Sequence, residues 1–156
     1  MIFTSPTKGK MSFPIMMDDI AHFIHEAPED NFRVIIGSDS QVRNETCFAS
    51  AVVIHRVGKG ARYYITKKVQ RKITSLRQRI FYETALSLEL ASKVVTSLAE
   101  KGYEDLNVEI HLDVGSKGKT KEFIKEIIGM VVGSGFDAHI KPDSSGASTV
   151  ADKYTK

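Results

Sequence analysis

Residues 111–120 read HLDVGSKGKT, an apolar strand ending in an acid, then a turn with glycines and a Gly-Lys-Thr leading into a helix. The ending suggests a phosphate loop and the beginning suggests a metal ligand. A Walker A loop carries one further glycine, separated by four residues from its Gly-Lys-[Ser/Thr]. Counting back from Gly118, that position is Asp113. An anion would stand where the backbone must approach phosphate. The stretch is therefore read as strand, turn and helix start, with Asp113 presented at the strand's carboxyl end. The helix N-terminus could touch a substrate phosphate, but a nucleotide triphosphate is not an expected ligand.

Working outward, the elements fall into order. RVIIGSD at 33–39 is short and β-branched and reads as a buried strand. FASAVVIHRV and ARYYITKKVQ flank Gly58-Lys59-Gly60 and predict a hairpin. A helical pattern follows over about 75–101 and stops at Gly102. NVEIHLD at 107–113 is the fourth strand, 119–132 a second helix, and 136–141 the fifth strand. A helical stub is expected from about Ala147. Ahead of all this, 1–32 reads as an extension, a polar lead followed by a short amphipathic helix at 18–27 that Pro28 stops. The domain proper would be 33–156.

The order β-β-β-α-β-α-β-α predicts an α/β domain with a mixed five-stranded sheet flanked by helices. Two hairpins return the third strand parallel to the first, and each helical crossover adds another parallel strand. Four strands then share one carboxyl end, the edge at which open α/β sheets bind ligands. Asp39 closes the first strand there and Asp113 the fourth, and Asp152 follows the fifth. In the long helix, at about 100° per residue, Ile80, Ala91, Val94 and Leu98 define an inward stripe that contains Glu83, whereas Glu89 points away.

Four carboxylates gathered at one edge repel one another. At about 4 Å and an effective dielectric of 20, a pair costs roughly 4 kcal/mol. Divalent cations cancel that repulsion, and an oxygen-only ligand set suits Mg2+ or Mn2+. Two such ions are the machinery of phosphodiester hydrolysis.

At this point the chain resembles the ribonuclease H-like superfamily of nucleases over roughly 33–156. Three strands, a helix with an inward Glu, a strand ending in Asp and a late Asp carry the likeness. IGSDSQ, HLDVGSKGKT and the ending KPDSSGASTVADKYTK are similar to the uncharacterised bacterial YkuK group within it. The resemblance implies Asp39, Glu83, Asp113 and Asp152 as the catalytic and metal-binding set; Asp143, in KPDSS, is a further candidate for the place of Asp152. It implies nucleic acid (DNA, RNA or a hybrid) as the partner. Ser40 stands where many relatives have glycine. The competing expectation is a ribonuclease H-like module that binds nucleic acid or protein without cleaving.

Composition sets the outer bounds. With 22 basic and 19 acidic residues among 156, the net charge of +3 leans mildly toward polyanions. KKVQRKITSLRQR supplies six basic residues, Lys67, Lys68, Arg71, Lys72, Arg77 and Arg79, beside the acidic edge, where they could meet backbone phosphates. One cysteine, Cys47, excludes an internal disulfide and fits a cytoplasmic protein. No run is apolar over the roughly 18 residues of a membrane span, and no membrane partner is expected. His111 is expected as a polar residue on a partly exposed strand, Cys47 as a small core residue. Nothing in the sequence sets the oligomeric state.

Overall fold

Three long antiparallel strands form the centre of the sheet because each is rich in β-branched and aromatic residues and each joint is a short turn. They are β3 (Phe32–Val42), β4 (Thr46–Arg56) and β5 (Gly60–Gln70). Arg56 pairs with Gly60 across the second joint, and Gly58 and Gly60 hold the positive φ values of 80° and 110° that this turn requires. The computed structural model describes residues 1–115 and 120–141.

The long helix α2 (Leu76–Glu100) starts at Ser75, whose hydroxyl accepts from the Gln78 amide at 3.2 Å. It ends where Gly102 turns at φ 86° and the Tyr103 amide donates to the Leu98 carbonyl at 2.8 Å. Beyond it, β6 (Asn107–Gly115) lies parallel to β3, and β7 (Asp137–Lys141) parallel to β6. Between them a 3-10 turn at Lys121–Phe123 leads into a helix at Ile124–Gly133. The parallel crossovers match the sequence reading, and β3, β5, β6 and β7 share one carboxyl edge.

The sheet departs from expectation in strand number. Among the described residues it has seven strands instead of five, in the order β2 (Gly9–Ser12), β1 (Ile2–Ser5), β5, β4, β3, β6, β7. The extra pair, β1 and β2, is a small N-terminal hairpin, with Thr4 registered against Ile65 of β5. Four-residue strands with a single inward residue apiece or two, here Phe3, Ser5 and Met11, give too short an alternation to be read from sequence. The following helix, α1 (Phe13–His25), begins five residues before the expected start. Ser12 caps it and Pro14 sits in its first turn, where a missing amide costs nothing. Taking that proline for part of a loop shortened the helix. The helix after β6, numbered α3, likewise begins as a 3-10 turn, later than the residue 119 expected. The stub anticipated from Ala147 lies outside the described residues.

The core lies between the sheet and its helices. Val34, Ile36, Val52, Ile54, Ile110, Leu112 and Val114, at even positions, pack against Met16, Met17 and Ile20 of α1, Ile80, Leu90 and Val94 of α2 and Ile127 of α3. The opposite parity, Ile35, Ala49, Ala51, Val53 and Ile65, forms a second buried cluster. Burial on both faces is why these strands read as apolar runs without alternation. Among the described residues no helix is long and apolar enough to cross a membrane.

Candidate functional site

Parallel pairing of β3 with β6 sets the site. Gly37 is registered with His111, and two residues further along each strand stand Asp39 and Asp113. Glu83 reaches the same edge from the second turn of α2, on the buried stripe that the helical period predicts. The three acids line one cavity of about 330 Å3, together with Ser40, Arg79 and Lys141. Asp39 and Glu83 are 8% and 7% exposed, so both were drawn out of water into the same pocket. Asp113 is half-buried. Asp152 and its substitute Asp143 lie outside the described residues. Glu89 points to solvent, with Lys93 one turn away at 3.5 Å.

The electrostatics follow from this packing. Burial pushes the Glu83 carboxyl up to about 8, and the charges of Asp39 and Asp113 push the same way. The Ser40 hydroxyl, donating to Glu83 Oε2 at 2.5 Å, and the nearby Arg79 guanidinium oppose them and lose. Mutual repulsion among acids was legible in sequence, but burial turned out to be the larger cause. At neutral pH Glu83 keeps its proton unless a cation joins the cluster.

Two cations of the chain already point there. Lys141 Nζ stands 2.5 Å from Asp113 Oδ1. It arrives because the β6–β7 register slips: His111 pairs with His139, but Gly115 pairs with Lys141, leaving extra β6 backbone around Asp113. Arg79, one turn ahead of Glu83, lines the cavity with its Nε buried and without a hydrogen-bond partner among the described residues. An unpaired buried donor is costly, and an anionic ligand in the cavity would satisfy it.

The donor set therefore fits Mg2+ or Mn2+. It consists of hard carboxylate oxygens from three separate elements, one of them held neutral chiefly by burial. Asp39, Glu83 and Asp113 line one cavity. Among the described residues, however, the group whose ligand atoms already lie within 4.8 Å of one another is Glu109, His111 and His139. The three acids could therefore hold ions only by closing further on them.

Sequence reasoning missed the supports. Ser40, noticed only as a departure from glycine, is the hydrogen-bond donor to Glu83. Ser38 Oγ lies 2.7 Å from Ser50 Oγ and 2.8 Å from Ser87 Oγ, fastening α2 to β3 and β4 beneath the acids. Ser87 falls one turn after Glu83 on the same buried stripe, but nothing in one sequence pairs it with Ser38.

The basic stretch divides. Lys67, Lys68, Arg71 and Lys72 are exposed. Arg77 is engaged elsewhere, with Glu126 of α3 at 2.9 Å and with the rings of Phe81 and Phe123. His111 departs from expectation. It is 4% exposed, its Nε2 2.8 Å from Glu109 Oε1. Burial holds its pKa below the usual range against the pull of Glu109. Cys47 is half-buried instead of fully in the core.

The chain matches the family model described as Ribonuclease H-like over residues 15–156. It is also similar to the uncharacterized protein YkuK of Bacillus subtilis, at 38% identity across 99% of this chain and 97% of that protein.

Proposed function

Because the chain belongs to the ribonuclease H-like family, we propose that it is a metal-dependent nuclease hydrolysing phosphodiester bonds in DNA, RNA or a hybrid. The observation that carries the reading is the convergence of Asp39, Glu83 and Asp113 on one cavity, with the Glu83 carboxyl raised to about 8. Such a site is short of positive charge until divalent ions enter. Asp152, at the late position where the family carries an acid, completes the proposed set.

Two Mg2+ or Mn2+ ions bound there would supply activated water and stabilisation of the leaving oxygen. The chain's own residues do the rest. Asp39 and Asp113, fixed by neighbouring parallel strands, set the spacing of the site. Glu83 gives up its proton as positive charge arrives, and Ser40 holds the resulting carboxylate by its hydrogen bond. Arg79 offers its unpaired Nε to a phosphate oxygen, and Lys141 leaves Asp113 to do the same. Lys67, Lys68, Arg71 and Lys72 lie on or just after β5, which ends at the same edge, and would track the nucleic-acid backbone.

A second reading, a binding module that keeps the fold without cleavage, draws on the Lys141–Asp113 pair, which gives Asp113 a resident counter-ion. Thermal unfolding under Mn2+ titration, run beside a cleavage assay on single- and double-stranded substrates, separates the two. A cation-holding site raises Tm by mass action and cleaves in Mn2+. An unchanged Tm at millimolar Mn2+ and intact substrate would remove the nuclease reading.

A further inference from the structure

A second constellation lies on the same strand, deeper toward the middle of the sheet. Glu109, His111 and Asp113 alternate along β6 and so share one parity. His139 sits on β7 in register with His111, the two rings 5.1 Å apart. One ligand atom from each of Glu109, His111 and His139 lies within 4.8 Å of the others. Both imidazoles turn Nε2 toward the Glu109 carboxylate, His111 at 2.8 Å from Oε1 and His139 at 3.8 Å from Oε2.

The carboxylate is held from behind. Arg33 Nη1 contacts Oε1 at 3.2 Å, and Asn107 Nδ2 contacts Oε2 at 3.0 Å. Each oxygen thus has one contact to a fixed donor and a second direction facing a histidine. Supports of this kind orient ligands in metal centres. Two imidazoles and one carboxylate are borderline-soft ligands, unlike the oxygen-only set at Asp39 and Asp113, and they match Zn2+ or a neighbouring transition ion rather than Mg2+. Tetrahedral ligands about 2.0 Å from zinc stand roughly 3.3 Å apart, so small side-chain rotations close the site.

We propose that Glu109, His111 and His139 bind one transition-metal ion of the Zn2+ class, separate from the carboxylate centre, which fastens β7 to β6. This site does not depend on nuclease activity. It adds a cross-strand tie next to the irregular pairing that delivers Lys141 to Asp113.

The test uses the full chain stripped of metals, with Zn2+ binding followed by calorimetry and Co2+ by its visible absorption, in excess Mg2+. His139 is partly exposed, so His139→Ala is expected to fold, which the Tm of the metal-free variant checks. The expected result is one Zn2+ per chain and a Tm raised by Zn2+. Affinity should fall at least about tenfold in His139→Ala and stay unchanged in Asp113→Asn. His22 and His25 are exposed on α1, and His22 lies 3.3 Å from Glu26. The double variant His22→Ala/His25→Ala should therefore bind as the parent does. The proposal is overturned by three results: no stoichiometric Zn2+, equal binding in His139→Ala, or loss of binding in Asp113→Asn or the α1 double variant.

Discussion

Asp19 and Glu83 are both withdrawn from water, yet their surroundings drive them in opposite directions. Asp19, on α1, is met by Lys8 from the N-terminal hairpin, by the Tyr64 hydroxyl, and by Arg62 at 3.4 Å. Burial raises its carboxyl, but hydrogen bonds from Lys8 and Tyr64 overcome that and hold it below the usual range. Glu83 is met by one hydroxyl, a guanidinium and two further acids, and its carboxyl rises to about 8. The first arrangement is complete within the chain and ties the N-terminal segment to β5. The second is complete only with something added. That contrast separates an acid that holds the fold from one set aside for a ligand, which burial alone does not do.

The largest effect that would break the contrast is catalytic. Asp39→Asn should reduce Mg2+-dependent cleavage to background while the metal-free Tm stays largely unchanged. Retained cleavage in gel or fluorescence assays would take Asp39 out of the site. Next comes the pH dependence of the metal-free protein. The folded-state pKa of Glu83 lies above its unfolded value of 4.5. Its contribution to stability is therefore full below about 4.5 and is lost as pH rises to about 8, a decline on the order of a few kcal/mol. Urea unfolding across that window should show the decline in the parent and a flatter profile in Glu83→Gln, and saturating Mn2+ should flatten the parent too.

Asp19 should behave with the opposite sign. Its folded pKa is lowered, so its contribution is present above the unfolded value near 3.8 and fades as pH falls. Asp19→Ala should cost about 1–2 kcal/mol at neutral pH, a Tm lower by roughly 2–8 °C, with cleavage unaffected. Loss of cleavage at unchanged Tm would show that Asp19 belongs with Glu83 after all. The smallest effect is at Arg77. Its exposed pair with Glu126 is worth little, so Arg77→Ala should leave Tm nearly unchanged and leave the salt dependence of nucleic-acid binding unchanged. The exposed residues Lys67, Lys68 and Lys72 should each reduce that slope when neutralised.

Much of this was readable in the chain because it depends on period and order. The 3.6-residue stripe of α2 selected Glu83 over Glu89, and hairpin and crossover rules placed Asp39 and Asp113 at one edge. What escaped notice depends on partners distant in sequence. The β1–β2 hairpin is too short to show a period, and Pro14 marks a helix start only when the cap before it is recognised. The buried state of His111 follows from Glu109 and His139, a pairing set by a parallel register that one sequence does not state. Lys141 reaches Asp113 through a slip in that same register.

The trio of hydroxyls on Ser38, Ser50 and Ser87 has a mechanical consequence. Contacts of 2.7 and 2.8 Å let helix and sheet approach more closely than branched aliphatic side chains would, so a small residue at each corner sets the spacing. Because each hydroxyl can give or take the shared proton, the joint can reverse its polarity with no heavy atom moving. A valine at Ser87 would wedge the layers apart and lift Glu83 off its neighbours, disabling the centre without touching any of its acids.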